Sequence, residues 1–362
     1  MNFLTLEKYM PRLYRSGTST TLVSSPGRGK STFIRNMPDV MRNLTGEEWG
    51  YASFTAATAS QLDLAGFTVP VKDDEGNLIS QSTMPMWYQC RDPKTERMTG
   101  KYAHHYKYGI LNIEEWGQGD IEIKRIGAEL LLNKRVGSYQ LPEGWVVNAS
   151  TNYSTDRSGV TKEIDLVINR RKEIHITDDL VSWEHWAMRN NVNPVLIHFT
   201  NKHPDIVFSK GVPDKQGPWC TPRSLVLLGK DLDQLLDENG NIPFNDDIQE
   251  ICRGWISTAD TAALTVWLRM GMELPSLSDI VARPNETVVP TPPDVQMMLC
   301  YRLGAVVTET NVEPIIEYLN RLPKEFGYIF NKSALARLPK LVNTAAMSKW
   351  MMANQSLISA MR

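Results

Sequence analysis

The stretch Ser24-Ser-Pro-Gly-Arg-Gly-Lys-Ser-Thr32 decides the fold of this chain. A β-prone run at 20–23 precedes it and a segment with helical character begins near its last residue, so it predicts a strand, a loop and a helix N-terminus. Such a loop directs successive backbone N–H groups at one centre, where the helix dipole adds positive potential. The stretch therefore predicts a polyphosphate site, formed by Ser25, Pro26, Gly27, Arg28, Gly29, Lys30, Ser31 and Thr32.

Three of these residues, Gly29, Lys30 and Ser31, match the end of the P-loop pattern G-x-x-x-x-G-K-S/T, whereas Ser24 stands where the pattern has its first glycine. In this pattern the lysine reaches the β- and γ-phosphates of a nucleotide, and the hydroxyl that follows it ligates Mg²⁺. Taken alone, the stretch is also compatible with an ordinary Gly/Pro/Ser turn before a helix. The motifs further along the chain favour the phosphate site.

A short apolar run at 108–113 ends in two adjacent carboxylates, Glu114 and Glu115. A buried strand with paired acids at its C-terminal end suits a P-loop, because one acid orients Mg²⁺ through water and the next polarises the attacking water as general base. We predict the metal role for Glu114, which stands where aspartate is usual, and the base role for Glu115. Two adjacent acids after a strand can also form a solvated turn.

Another apolar run, at 145–150, is followed by Asn152. A polar side chain at the end of this predicted strand would lie beside the two acids. Asn152 is therefore predicted to hydrogen-bond the attacking water or the γ-phosphate. An asparagine that forms a turn is the alternative.

Helices and a hairpin are predicted around these motifs. The run Asp73-Asp-Glu-Gly-Asn77 lies between two β-prone segments, which is typical of a hairpin. Both a surface hairpin and a loop that contacts substrate or faces a pore fit this pattern. The stretch 283–293 has the composition of an extended linker. Helical character is found at 4–14, 120–130, 180–190, 195–201 and 248–272.

The composition is that of a globular protein of two or three domains. The chain has 362 residues, of which 42% are hydrophobic and 22% are charged. No run approaches the ~18 apolar residues of a membrane span, and the N-terminal stretch lacks the basic-then-apolar order of a signal peptide. We therefore expect a cytoplasmic protein with no membrane partner. Four widely separated cysteines predict reduced core thiols rather than disulfides or zinc ligands: Cys90, Cys220, Cys252 and Cys300.

Taken in order, these motifs resemble the MoxR-like branch of the AAA+ ATPases, in particular bacterial and phage proteins that continue past the small lid domain. The resemblance covers nearly the whole sequence. It implies an α/β fold: a P-loop NTPase AAA+ αβα core with a parallel five-stranded sheet, an α-helical lid and a helical C-terminal module. It also implies ATP and Mg²⁺ as cofactors and a ring-shaped homo-oligomer, usually a hexamer. Its strongest pieces lie at 24–32, 61–66, 110–115, 137–157, 169–171 and 221–224.

The resemblance also implies domain boundaries. The nucleotide-binding domain would occupy 1–177, with a hairpin insert near 67–80 that corresponds to the insert of MoxR-like proteins in their second helix. The lid that carries sensor 2 would occupy 178–240, and the C-terminal module 241–362.

Further site residues follow from the same resemblance. Asn152 matches the sensor 1 asparagine, and Arg223 matches sensor 2, which reaches the γ-phosphate from the lid. Arg170 matches the arginine finger that enters the neighbouring subunit's site and stabilises charge on the transferring phosphoryl group. Typical members have phenylalanine after that arginine, whereas this chain has Arg171. Either guanidinium is therefore a candidate finger.

Three functions are compatible with the sequence. The resemblance favours a motor that uses ATP hydrolysis to remodel a protein partner, and it suggests a von Willebrand A-like protein as that partner. A motor or loader that acts on nucleic acid is the first alternative. A net charge of −2 and the absence of an aromatic-basic stacking motif make that alternative the weaker one. A nucleotide-gated scaffold that barely hydrolyses is the second alternative, since Ser24 and Glu114 depart from the usual pattern.

Overall fold

The computed structural model describes residues 1–161, 168, 171–208, 211–238 and 240–360. By their contacts, these residues fall into two units. The first comprises the described residues up to Asp178 together with 211–212, and the second comprises the others. No helix among the described residues is long and apolar enough to cross a membrane.

The first unit is an α/β structure around a parallel sheet. Its described helices are α1 (Phe3–Arg15), α2 (Lys30–Thr45), α3 (Gln61–Ala65) and α4 (Ile121–Asn133). Its described strands are β1 (Thr20–Val23), β2 (Trp49–Thr55), β3 (Thr68–Lys72), β4 (Leu78–Ser82), β5 (Gln89–Arg91), β6 (Met98–Tyr102), β7 (Tyr108–Glu114), β8 (Arg135–Val136), β9 (Tyr139–Gln140), β10 (Gly144–Thr151) and β11 (Lys172–His175).

Five strands form the central sheet in the order β11-β1-β10-β7-β2, and every neighbouring pair is parallel. The pairing Val23↔Thr151 aligns the carboxyl ends of β1 and β10, and Thr55↔Glu114 aligns those of β2 and β7. The carboxyl ends of the strands thus meet at one edge of the sheet, where ligands bind in open α/β structures. Together with the helical second unit, this sheet confirms the predicted fold class.

Helices cover both faces of the sheet, because successive apolar side chains of a strand point to opposite faces and both sets are buried. Ile110 and Val146 pack with Leu6 of α1 and Ile34 of α2, whereas their chain neighbours on β7 and β10 belong to a separate cluster with α3 and α4. This alternation is the period of two residues expected for strands. The consequence is the predicted αβα layering.

The connection from β2 to β7 consists of α3 followed by two antiparallel hairpins, β3–β4 and β5–β6. The predicted hairpin near Asp73 is confirmed as β3–β4. The carboxylate of Asp73 accepts hydrogen bonds from the backbone N–H groups of Glu75 (3.0 Å) and Asn77 (2.8 Å), and Gly76 has the positive φ of 85° that the turn requires. The β5–β6 hairpin was not predicted.

The second unit is helical. Its described helices are α5 (Leu180–Arg189), α6 (Pro194–Lys202), α7 (Pro204–Val207), α8 (Pro222–Leu232), α9 (Asp246–Trp255), α10 (Thr258–Gly271), α11 (Leu277–Ala282), α12 (Pro293–Val306), α13 (Val312–Leu319), α14 (Lys324–Arg337), α15 (Ala345–Ala353) and α16 (Gln355–Ala360). A single hydrophobic cluster extends from Trp183 on α5 to Trp350 on α15. The proposed division into a lid and a C-terminal module at 240/241 stays a prediction.

The stretch 248–272, predicted to have helical character, forms two helices, because the chain breaks between α9 and α10. Ile256 adopts an extended conformation with φ −133° and ψ 164°. The side chain of Ser257 then caps the next helix by accepting a hydrogen bond from the N–H of Asp260 (3.1 Å). Apolar residues keep a helical spacing across the break, so this spacing did not indicate that a new helix, α10, begins there.

A buried histidine in the second unit predicts acid sensitivity. His198 on α6 is fully buried against the ring of Trp267, with 4.7 Å between the ring centroids. Burial lowers the pKa of His198 to about 4; Asp294, 3.9 Å away, opposes this shift, and Lys202 and His203 add to it. Between about pH 6.5 and pH 4 the unfolded chain therefore binds the proton that the folded chain excludes. Stability should fall as the pH falls through this window, by on the order of 3 kcal/mol from this residue.

Urea unfolding across that pH window measures the effect. His198→Gln, which cannot take up the proton, should flatten the acid loss of stability. Equal pH profiles for the His198 variant and the unaltered protein would contradict the assignment.

Candidate functional site

The predicted phosphate loop leaves β1 at Val23 and enters the 16-residue helix α2 at Lys30. Gly27 (φ 74°) and Gly29 (φ 96°) take left-handed conformations that side chains rarely adopt, so both glycines are needed for the turn. Arg28 and Lys30 are 7% and 8% exposed. The loop therefore places two largely buried cations at the N-terminus of a helix, which is a favourable place for an anion.

The ammonium of Lys30 connects the loop to the neighbouring strand. It donates to the carbonyl oxygens of Ser24 (2.9 Å) and Ser25 (3.1 Å), to the hydroxyl of Ser24 (2.9 Å) and to Oδ1 of Asn152 (2.9 Å). Ser24, which departs from the glycine of the pattern, thus supplies two of these oxygens. The structure brings Lys30 and Asn152 together, as expected for two residues at the carboxyl ends of adjacent strands.

The predicted acids lie at the end of β7. The side chain of Glu114 is 17% exposed, and its Oε1 accepts from Nδ2 of Asn112 (3.1 Å) and Nη2 of Arg35 (3.0 Å). Glu115 is exposed and has a φ of 51°, a conformation that costs a non-glycine residue about 1 kcal/mol or more. β7 therefore ends at Glu114, and the backbone turns at Glu115. The two acids therefore differ in their surroundings: the Glu114 carboxylate is partly buried and hydrogen-bonded, whereas Glu115 is exposed to solvent.

These residues fit a magnesium-bound polyphosphate. The partly buried hydroxyl of Ser31 and the carboxylate of Glu114 are hard oxygen donors of the kind Mg²⁺ prefers. Phosphate oxygens would add charged acceptors to the carbonyl, hydroxyl and amide oxygens that the Lys30 ammonium contacts. Thr32 is exposed on the first turn of α2.

Of the three predicted arginines, the structure describes Arg171 and Arg223. Arg170 lies outside the described residues. Arg171 directly precedes β11, and its side chain is 3% exposed. Its guanidinium lies 6.0 Å from the ring centre of Trp116 and 3.4 Å from the carboxylate of Glu173. Arg223 is exposed in the first turn of α8, in the second unit.

Sequence reasoning missed one carboxylate beside the loop. Asp178 Oδ2 lies 3.4 Å from Nε of Arg28. Burial raises the pKa of Asp178, while the charges of Arg28 and Lys30 act in the opposite direction. The separation of 150 residues between the partners gave no signal in the sequence.

Two further residues around Glu114 were also missed. Asn112 is fully buried, and a polar residue inside an otherwise apolar strand was a signal that could have found it. Arg35 lies one turn and a half into α2, where an arginine on a helix looks like an ordinary surface residue. Both donate to the carboxylate predicted to serve the metal.

Comparisons with known proteins give only distant structural likenesses. No protein-family model matches the chain, and no curated protein sequence matches it. Similar solved structures include NtrX from Brucella abortus in complex with ADP, at 14% identity and a TM-score of 0.39, covering 98% of this chain and 67% of that one. A RuvB mutant from Thermotoga maritima has 11% identity and a TM-score of 0.36, with 87% and 85% covered. A protein from Cytophaga hutchinsonii described as a candidate ATPase has 10% identity and a TM-score of 0.34, with 96% and 88% covered.

Proposed function

We propose that this chain is an ATP hydrolase of the AAA+ type that requires Mg²⁺. The observation that carries the proposal is the position of Lys30: a buried ammonium at a helix N-terminus, bonded to Asn152 from the adjacent strand. Glu114 ends the next strand of the sheet, and Glu115 follows it directly. A phosphate loop, a polar residue and paired acids on three adjacent parallel strands are the groups that nucleotide hydrolysis needs.

Each side chain has a distinct proposed role. Lys30 and the loop N–H groups bind the phosphates, and Ser31 with Glu114 serves the metal. Glu115, which is exposed and so accessible to water, accepts a proton from the attacking water. Asn152 orients that water or the γ-phosphate, and Arg223 acts as sensor 2. Mg²⁺ supplies charge neutralisation on the phosphate oxygens when it is bound.

Assembly and partner are part of the proposal. We assign a ring-shaped homo-oligomer of the MoxR-like type, usually hexameric in that branch, which remodels a protein partner such as a von Willebrand A-like domain. Of the two candidate fingers, Arg170 is preferred, because the Arg171 guanidinium is already engaged with Trp116 and Glu173 of its own chain. An engaged side chain would have to leave those contacts before it could reach a neighbouring subunit.

ATPase measurements with different additives test this function. The protein should hydrolyse ATP only with Mg²⁺ present, faster with its protein partner, and with little response to DNA or RNA at physiological salt. The response to nucleic acid is expected to be small because the net charge is −2.

Two outcomes would change the proposal. No hydrolysis under any of these conditions, with nucleotide bound, would favour the nucleotide-gated scaffold. Several-fold stimulation by nucleic acid that weakens steeply as salt is raised, as counterion release requires, would favour a motor acting on DNA or RNA.

A further inference from the structure

The turn of the unpredicted hairpin β5–β6 is attached to the helix that follows the phosphate loop. Glu96 Oε1 lies 2.8 Å from Nε of Arg35, and Lys94 Nζ lies 3.4 Å from Oδ2 of Asp39, both partners being on α2. Arg91 donates to the carbonyl oxygen of Glu96 (3.0 Å) and to that of Ser53 on β2 (3.3 Å). The hairpin turn is therefore fixed to both α2 and the central sheet.

Arg35 joins this hairpin to the predicted metal carboxylate. Its Nε faces Glu96, while its Nη2 donates to Oε1 of Glu114 at 3.0 Å. The side chains of Arg35, Glu96 and Glu114 are 29%, 39% and 17% exposed. Charges screened only in part by water interact more strongly than fully exposed pairs. The three side chains form a chain of alternating charge from the hairpin to the end of β7.

We propose that Arg35 is a positioning residue that sets the affinity of the site for Mg²⁺, and that Glu96 on the hairpin adjusts that affinity through Arg35. The inference rests on the proposed function, since it concerns the metal that accompanies the nucleotide. Arg35 occupies a lone pair of Glu114 and places a positive charge beside it, and both effects oppose a divalent cation. Glu96 offsets part of that charge. A force or a partner that displaced the hairpin would then weaken Mg²⁺ binding.

Calorimetry of ADP binding, in EDTA and at saturating Mg²⁺, measures the effect without any turnover. The dissociation constant in EDTA divided by the dissociation constant at saturating Mg²⁺ gives the coupling between nucleotide and metal; a higher ratio means stronger coupling. Arg35→Gln should raise the ratio, on the order of 10-fold, because the competing charge is lost. Glu96→Gln should lower it, by roughly threefold, because Arg35 then acts on Glu114 with its full charge. If Arg35 and Glu96 only supported the fold, their variants would not change the ratio in opposite directions.

Arg42→Gln is the matched control. Arg42 lies two turns further along α2 and contacts Asp39 (2.8 Å) and Glu48 (3.3 Å), so its loss makes the same charge change away from Glu114. Its ratio should match that of the unaltered protein. When Glu96→Gln is added to Arg35→Gln, it should have little further effect on the ratio, since Arg35 is no longer present to transmit it.

Results that differ from these expectations would contradict the inference. A ratio that is unchanged or lower in Arg35→Gln would overturn the role of Arg35. An equal effect of Glu96→Gln with and without Arg35 would overturn the link through the hairpin. If Arg35→Gln did not fold, Glu96→Gln, a change at a partly exposed side chain, would still decide whether the hairpin affects Mg²⁺ binding in the expected direction. Failure of the unaltered protein to bind ADP would instead refute the proposed function itself.

Discussion

Replacing Lys30 with alanine is expected to weaken binding of Mg·ATP by on the order of 100-fold or more. The ammonium is one of the two buried cations that the loop holds at the N-terminus of α2, and charge-assisted hydrogen bonds to phosphate contribute about 3 kcal/mol in such sites. Four oxygens fix it at 2.9 to 3.1 Å, so it is already placed before nucleotide arrives. Titration calorimetry measures the loss directly.

Lys134→Ala provides the control for this variant. Lys134 is a partly buried lysine of the same unit at the end of α4, where its ammonium lies 3.3 Å from the carbonyl oxygen of Glu143. Its removal should leave ATP affinity unchanged. Thermal denaturation of both variants should also be measured to check that they fold, because truncating Lys30 leaves the loop oxygens without their donor. An unchanged affinity in a folded Lys30→Ala protein would remove the phosphate-loop assignment.

Glu115→Gln should keep nucleotide binding and slow hydrolysis by about 10²- to 10⁴-fold, the usual contribution of a general base. The amide preserves the shape of the side chain but cannot accept the proton of the attacking water. The exposed position of Glu115, just past the end of β7, leaves its carboxylate open to that water. Steady-state phosphate release and ADP calorimetry on the same preparation separate hydrolysis from binding.

Glu122→Gln is the matched variant for this test, since Glu122 is an exposed glutamate in the first turn of α4 that pairs with Arg125 at 2.7 Å. It should hydrolyse at the normal rate. A Glu115→Gln protein that also hydrolysed normally would show that Glu114 or another group is the base.

The central sheet could be predicted from sequence because its strands are short apolar runs that end in polar residues. The runs before Ser24, Glu114 and Thr151 became β1, β7 and β10, each buried along most of its length. The β5–β6 hairpin could not be predicted in the same way. Its strands are short and carry mixed side chains, and its turn places the positive φ of 58° at Glu96 rather than at a glycine.

The contacts around the candidate site were less accessible to sequence reasoning. The loop, Lys30 and Asn152 follow from a local motif and from strand ends that meet in a parallel sheet. The pairs Arg35 with Glu114 and Arg28 with Asp178 join residues 79 and 150 positions apart, and nothing local marks them. Such pairs depend on how helices pack on the sheet, which the periodicity of apolar residues leaves undetermined.

The strand order also determines when the site can form during synthesis. β1 pairs only with β10 and β11 in the central sheet, so Thr20 lies beside Asn148 and Lys172. Contacts of such long sequence separation form late, because the intervening chain must first be ordered. A nascent chain that has emerged only as far as Gly144 carries the whole phosphate loop but neither of the strands that flank β1. Nucleotide affinity should therefore appear as the strands from Gly144 to His175 are added, as a property of the completed sheet.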